Sequence, residues 1–112
     1  MEKNNAIATL AALAHETRLD IYRKLVRAGR TGLAAGAVAE QLGVPAATLS
    51  FHFKELKNSG AIICRRDGRS LIYSASFEVM TGLIDYLTEN CCEAEELSDC
   101  SPSSGTIAPA CP

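Results

Sequence analysis

The run Asn90-Cys91-Cys92-Glu93-Ala94-Glu95-Glu96-Leu97-Ser98-Asp99-Cys100 sets two adjacent thiols before a third, with seven residues between Cys92 and Cys100. Thiolates are soft ligands that suit trivalent arsenic and antimony, and also zinc, cadmium and copper(I). Structural zinc usually takes four ligands, whereas trivalent arsenic carries a lone pair and is satisfied by a pyramid of three sulfurs. Cys91, Cys92 and Cys100 supply three, and the segment between them is long enough to loop back. Neighbouring residues on a regular helix diverge by about 100°, so the chain has to leave helical geometry for both adjacent thiols to meet one ion. Oxidation or persulfidation of the vicinal pair is the rival chemistry. The acidic neighbours Glu93, Glu95, Glu96 and Asp99 weigh against it, because they raise a thiol pKa. Cys111 is left open as an extra ligand or a spare. Cys64, in an alternating apolar run, reads as a small core residue.

The rest of the chain has to hold these thiols in place. At 112 residues and 47% apolar, it amounts to one small domain whose core is marginal without a partner, which favours a dimer. No run of about 18 apolar residues is present to cross a bilayer, and the opening MEKNNAIATL lacks the basic start and long apolar core of a signal peptide. The reading is a cytoplasmic protein without a membrane role, in which five cysteines are thiols or ligands rather than a disulfide framework. Charge divides the chain in two. Residues 1–90 carry all 11 Lys and Arg against 9 Asp and Glu, while residues 91–112 carry four acids and no base. The expected organisation is a mildly basic folded domain over 1–90 and an acidic, flexible, cysteine-containing tail over 91–112.

Helical spacing begins at once. Ile7, Leu10, Ala11 and Ala14 share a face, and a second helix starting near Glu16 repeats the spacing with Leu19, Tyr22, Leu25 and Val26. After the interruptions at Gly29, Gly32 and Gly36, Val38, Ala39 and Leu42 form a short third stripe ended by Gly43. Pro45 suits the first turn of a fourth helix, with Leu49, Phe53 and Leu56 facing inward and Gly60 ending it. The period then changes to two. AIICRR and SLIYSAS flank Asp67-Gly68, a strong hairpin signal. Met80, Leu83, Ile84 and Leu87 define a last helix, whose extra apolar residues Val79 and Tyr86 suggest a subunit contact.

The order α-α-α-α-β-β-α is that of a winged helix-turn-helix, mainly α with one β-hairpin. The fourth helix would be the recognition helix, with Thr48, Ser50, Phe51 and His52 in reach of base edges or phosphates and Lys54 and Lys57 supplying cations. Arg65, Arg66 and Arg69 flank the hairpin tip at Gly68, placed for the backbone or minor groove of double-stranded DNA. An Arg-rich hairpin also serves as a solvated edge that resists aggregation, and it is the ordered combination that points to DNA. Two histidines far apart, with no nucleophile elbow and no phosphate loop, leave an enzyme without a constellation, and no organic cofactor is implied.

The stretches LAHETRLDIYRKL, ATLSFHFKELKNSGAI and RRDGRSLIYS resemble those of the ArsR/SmtB family of metal- and metalloid-sensing repressors, and the resemblance runs from about Leu10 to Cys92. It implies a homodimeric repressor, paired through its first and last helices, that sits on operator DNA, often ahead of arsenical resistance genes, and leaves when its inducer binds. Two departures from the family stand out. The helix before the recognition helix, LAAGAVAEQL, has no sulfur, and the last helix, FEVMTGLIDYLTEN, has no His, so neither of the family's best-known metal sites is present. The remaining cysteines are similar to those of an arsenic-responsive subgroup with a C-terminal Cys-Cys pair and a later Cys. The expectation is a repressor released when As(III) or Sb(III) binds Cys91, Cys92 and Cys100. The alternative is a thiol-redox or Zn/Cd-responsive repressor of the same fold.

Overall fold

A computed structural model describes residues 1–94. Along them run α1 (Lys3–Leu13), α2 (Glu16–Ala28), β1 (Leu33–Ala34), α3 (Ala35–Leu42), α4 (Ala46–Asn58), β2 (Ile62–Asp67), β3 (Ser70–Ala75) and α5 (Phe77–Thr88), with a 3-10 turn at Gly29–Thr31. This is the expected winged-helix order with one addition. The two-residue β1 pairs with β3, Leu33 opposite Tyr73 and Ala34 opposite Ile72, so the hairpin is part of a three-stranded sheet ordered β1-β3-β2. Gly32 makes the pairing possible. Its φ is +74°, and a Cβ there would run into the Tyr73 carbonyl.

The hairpin turns one residue later than Asp67-Gly68. Asp67 still pairs with Ser70, leaving Gly68-Arg69 as the two-residue loop. Gly68 has φ +63° while Arg69 has no positive φ, the pattern of a II′ turn with glycine at its first central position. Arg69 therefore stands at the tip itself. Pro45 is likewise displaced by one residue, lying just ahead of α4 with ψ at 141° rather than in its first turn.

Ile21 and Leu25 of α2, Val38 of α3, Leu49 and Leu56 of α4 and Ile62 of β2 are the large, fully buried side chains that fix how these elements pack. Phe53 of α4 stacks on Tyr73 of β3, with ring centroids 4.1 Å apart and planes 6° apart. That stacking clamps α4 to the root of the wing. Ser76 caps α5, its Oγ accepting the Val79 N–H at 3.3 Å.

The outer helices show the opposite balance. On α1 the body receives Ala6, Thr9 and Ala12, while Ile7 and Leu10 of the expected stripe stand exposed. On α5 Leu83 is buried, but Ile84 and Leu87 are 52% and 58% exposed. The two helices touch each other. Among the described residues no helix is long and apolar enough to cross a membrane.

Candidate nucleic-acid interface and thiol pair

Burial divides α4 cleanly. Leu49, His52, Phe53 and Leu56 face the body, whereas Ala46, Ala47, Thr48, Ser50, Phe51, Lys54 and Lys57 face solvent. The Ser50 hydroxyl donates to the Ala46 carbonyl at 3.2 Å, which turns its lone pairs outward as acceptors. Among the described residues the one ion pair joins Arg30 to Glu78, so Lys54, Lys57, Arg66 and Arg69 hold their charges outside any internal ion pair. Unpaired cations beside a helix face of small and hydroxyl side chains suit a phosphate backbone with a groove between its strands.

His52, expected among the DNA-facing residues, lies on the inner face instead and is 8% exposed. Its Nδ1 is 3.4 Å from Nη1 of Arg18, and its ring centroid is 4.6 Å from that of His15. Arg18 also donates from Nε to the Ala12 carbonyl at 2.6 Å, holding the corner between α1 and α2. Burial first, and then the charges of His15 and Arg18, push the His52 pKa below its ordinary value. A neutral imidazole accepting at Nδ1 from Arg18 satisfies all three observations. His15 caps the start of α2, its Nδ1 accepting the Thr17 N–H at 3.1 Å. At the far end of α4, Thr9 of α1 donates to the Ser59 carbonyl at 3.4 Å. α4 is thus tied to α1 at its C-terminal end through Thr9 and at its middle through Arg18.

The three wing arginines do different things. Arg66 and Arg69 are exposed on the hairpin, Arg69 at its tip. Arg65 reaches back to the body, donating to the carbonyls of Arg30 at 3.3 Å and Thr31 at 2.7 Å. It braces the wing rather than extending it. Arg30 itself bonds Glu78 of α5 at 3.3 Å and lies over the Phe77 ring at 5.3 Å. The Glu78 carboxyl is held below its usual range, mainly by its own backbone N–H and then by Arg30. Neither Arg18 nor Arg30 stands out by type or spacing, because each acts through carbonyls and rings far away in sequence. Cys64 is half-buried opposite Tyr73.

The thiol pair lies past the helix rather than in its last turn. α5 ends at Thr88, and the chain then turns through Asn90 at φ 57° and Cys92 at φ 60°, with the Cys91 N–H on the Thr88 carbonyl at 3.0 Å and the Glu93 N–H on the Asn90 carbonyl at 3.1 Å. A left-handed conformation is uncommon for a residue that carries a Cβ. Here it rotates the second thiol towards the first, and the two Sγ atoms are 3.6 Å apart. Two sulfurs about 2.3 Å from a tetrahedral zinc stand about 3.8 Å from each other, whereas a disulfide requires about 2.0 Å. The spacing therefore sets the two sulfurs side by side without a covalent bond between them. Among the described residues no group of three His, Cys, Asp or Glu is gathered for a metal. Cys100 and Cys111 lie outside the described residues, as does most of the acidic tail.

The fold and the α4 face are those of a winged helix-turn-helix regulator. A helix-turn-helix domain family matches residues 13–65. The HTH-type transcriptional regulator YgaV of Escherichia coli (strain K12) is 31% identical over 87 residues, 78% of this chain and 86% of that protein. Two solved structures are similar: an ArsR-like transcriptional regulator from Rhodococcus sp. RHA1, at 25% identity and TM-score 0.71 over 81% of this chain and 83% of that one, and reduced HlyU from Vibrio cholerae N16961, at 27% identity and TM-score 0.61 over 80% and 90%. The chain belongs to the ArsR/SmtB family of winged-helix transcriptional regulators. It spans 66% and 58% of the lengths of two further curated relatives that it matches.

Proposed function

We propose that this chain is a homodimeric repressor that binds double-stranded operator DNA through α4 and the β2–β3 wing, and that leaves the operator when Cys91, Cys92 and Cys100 take up trivalent arsenic or antimony. The observation that carries the inducer reading is the 3.6 Å separation of the Cys91 and Cys92 sulfurs, on a turn that follows directly from an apolar, exposed helix. Exposed apolar surface on α1 and α5 supports pairing of two copies there, since adjoining apolar faces of that kind mark interfaces. Cys91, Cys92 and Cys100 closing on one inducer draw in the chain after Thr88 and bias how the two α5 helices pack. Packed interfaces have discrete arrangements rather than a continuum. From α5 the change passes to α1, and from α1 to α4 through the Thr9–Ser59 and Arg18–His52 links.

A redox-switched repressor of the same fold is the second reading, favoured by the vicinal thiols and by the solved structure described as reduced HlyU. One experiment separates the two. The full chain is bound to a duplex that it selects from a random-sequence pool and titrated in parallel with trivalent arsenic, trivalent antimony, zinc, cadmium and peroxide. Release by arsenic and antimony at the lowest concentrations is expected. Release by peroxide alone replaces the inducer reading with the redox one, and failure to bind any duplex at low salt overturns the repressor.

A further inference from the structure

The exposed first two turns of α4 have an unusual composition for a surface that reads DNA. From Ala46 to Phe53 they contain no Arg, Lys, Asn or Gln, the side chains that make bidentate pairs with guanine or adenine. In their place Ala47, Ser50, Phe51 and Lys54 recur at spacings of three and four residues and so form one stripe, with Thr48 beside it. Phe51 is 57% exposed. Its ring meets the buried His52 ring edge to face at 5.7 Å, and His52 is held in turn by Arg18, so the phenyl group is supported from the body while most of it faces outward. Ser50, its proton given to Ala46, offers the groove acceptor lone pairs.

Resting on the reading of α4 as the operator-facing helix, we infer that Phe51 selects operators by packing against thymine methyl groups in the major groove, flanked by Ala47 and the Thr48 methyl. Among the four base pairs only A·T and T·A carry a methyl group in that groove, and apolar side chains are its natural partners. The first residues of a recognition helix are the ones that reach base edges. Phe51, one turn in, is the largest apolar group on that stretch. Ser50 complements the choice, because the adenine opposite each thymine presents an N6–H donor that an outward lone pair accepts. Lys54, one turn further along the stripe, is then left to phosphate.

The test removes the methyl group and nothing else. The full chain selects duplexes from a random-sequence pool, and each recurrent thymine is then replaced singly by deoxyuridine. Burying one methyl-sized group changes affinity by about fourfold, so wild type should bind about fourfold more weakly at each position that Phe51 covers. Phe51→Ala should bind the parent and deoxyuridine duplexes alike, and Phe51→Leu should fall between. Phe51 is exposed, and its replacement leaves the core intact. Wild-type affinity that is indifferent to the methyl groups, or a Phe51→Ala variant that retains the full methyl effect, overturns this inference while leaving operator binding in place. A chain that binds no duplex at all overturns both together.

Discussion

The outer face of α4 and the thiol turn after α5 are built by opposite means. On α4 a regular helix divides its residues by period alone: Leu49, Phe53 and Leu56 anchor it, and Ser50, Phe51 and Lys54 are displayed as a consequence. After Thr88 no period operates, and the two sulfurs come to 3.6 Å only because the backbone abandons the helix and takes left-handed values at Asn90 and Cys92. A surface that must match a rigid duplex gains from being fixed by the core. A site that has to change the packing beside it gains from lying where the core has ended, since the low-stability parts of a fold are those that move.

The contrast can be broken from the core side first. Leu56→Ala empties a fully buried position under α4 and should cost about 2–5 kcal/mol of folding stability, measured by denaturant unfolding. An effect well under 1 kcal/mol would mean that α4 is not held by its floor. From the other side, Cys91→Ser or Cys92→Ser should leave DNA affinity within about twofold yet abolish release by trivalent arsenic, an effect of about 5–150-fold at the coupling typical of allostery. Cys100→Ser should behave alike, and Cys64→Ser should change nothing. Retained induction in Cys100→Ser together with abolished induction in Cys111→Ser would move the third ligand to Cys111.

Smaller effects sharpen the roles within the reading face. Arg69→Ala should flatten the salt dependence of binding by about 0.9 for each phosphate that the guanidinium neutralises, and so by about 2 across both wings. Arg65→Ala should leave that slope unchanged and lower stability by about 1 kcal/mol, because its hydrogen bonds go to the Arg30 and Thr31 carbonyls. Equal slopes for the two variants would erase the distinction. The smallest effect belongs to His52. Its folded pKa lies below its ordinary value of about 6.5, so the unfolded chain takes the proton more readily. Stability from keeping it neutral is complete above about 6.5 and is lost as the pH falls through the folded value. His52→Gln should flatten this decline, as followed by thermal unfolding at neutral pH and about one unit below 6.5.

These residues also mark what was legible in the sequence. Leu49, Phe53 and Leu56 were readable because thirteen helical residues carry several periods. His52 occupies the same inner stripe, three residues from Leu49 and four from Leu56, but its polarity reads as DNA-facing. Periodicity gathered Ile7 and Leu10 onto one face correctly, but spacing does not tell a core face from a subunit face, and this one is exposed. β1 has two residues and no period at all, and its only trace was Gly32, whose missing Cβ admits the Tyr73 carbonyl. The hairpin slipped by one because Asp67 reads as a turn residue, whereas pairing with Ser70 keeps it in the strand. The need for non-helical backbone at Cys91 and Cys92 followed from geometry alone, but the 3.6 Å spacing depends on φ values that no side-chain pattern encodes.

Coupling between the thiol turn and the outer face of α4 is measurable from either end by linkage. If arsenic held by Cys91, Cys92 and Cys100 weakens operator binding by a given factor, the operator must weaken arsenic binding by the same factor. Calorimetric titration of trivalent arsenic into the free dimer and into the dimer saturated with its selected duplex, with sedimentation run alongside, reads this directly. Arsenic should bind the free dimer more tightly, by about 5–150-fold, with the protein remaining dimeric throughout. Equal affinities in the two titrations, or monomers appearing on arsenic addition, would contradict it.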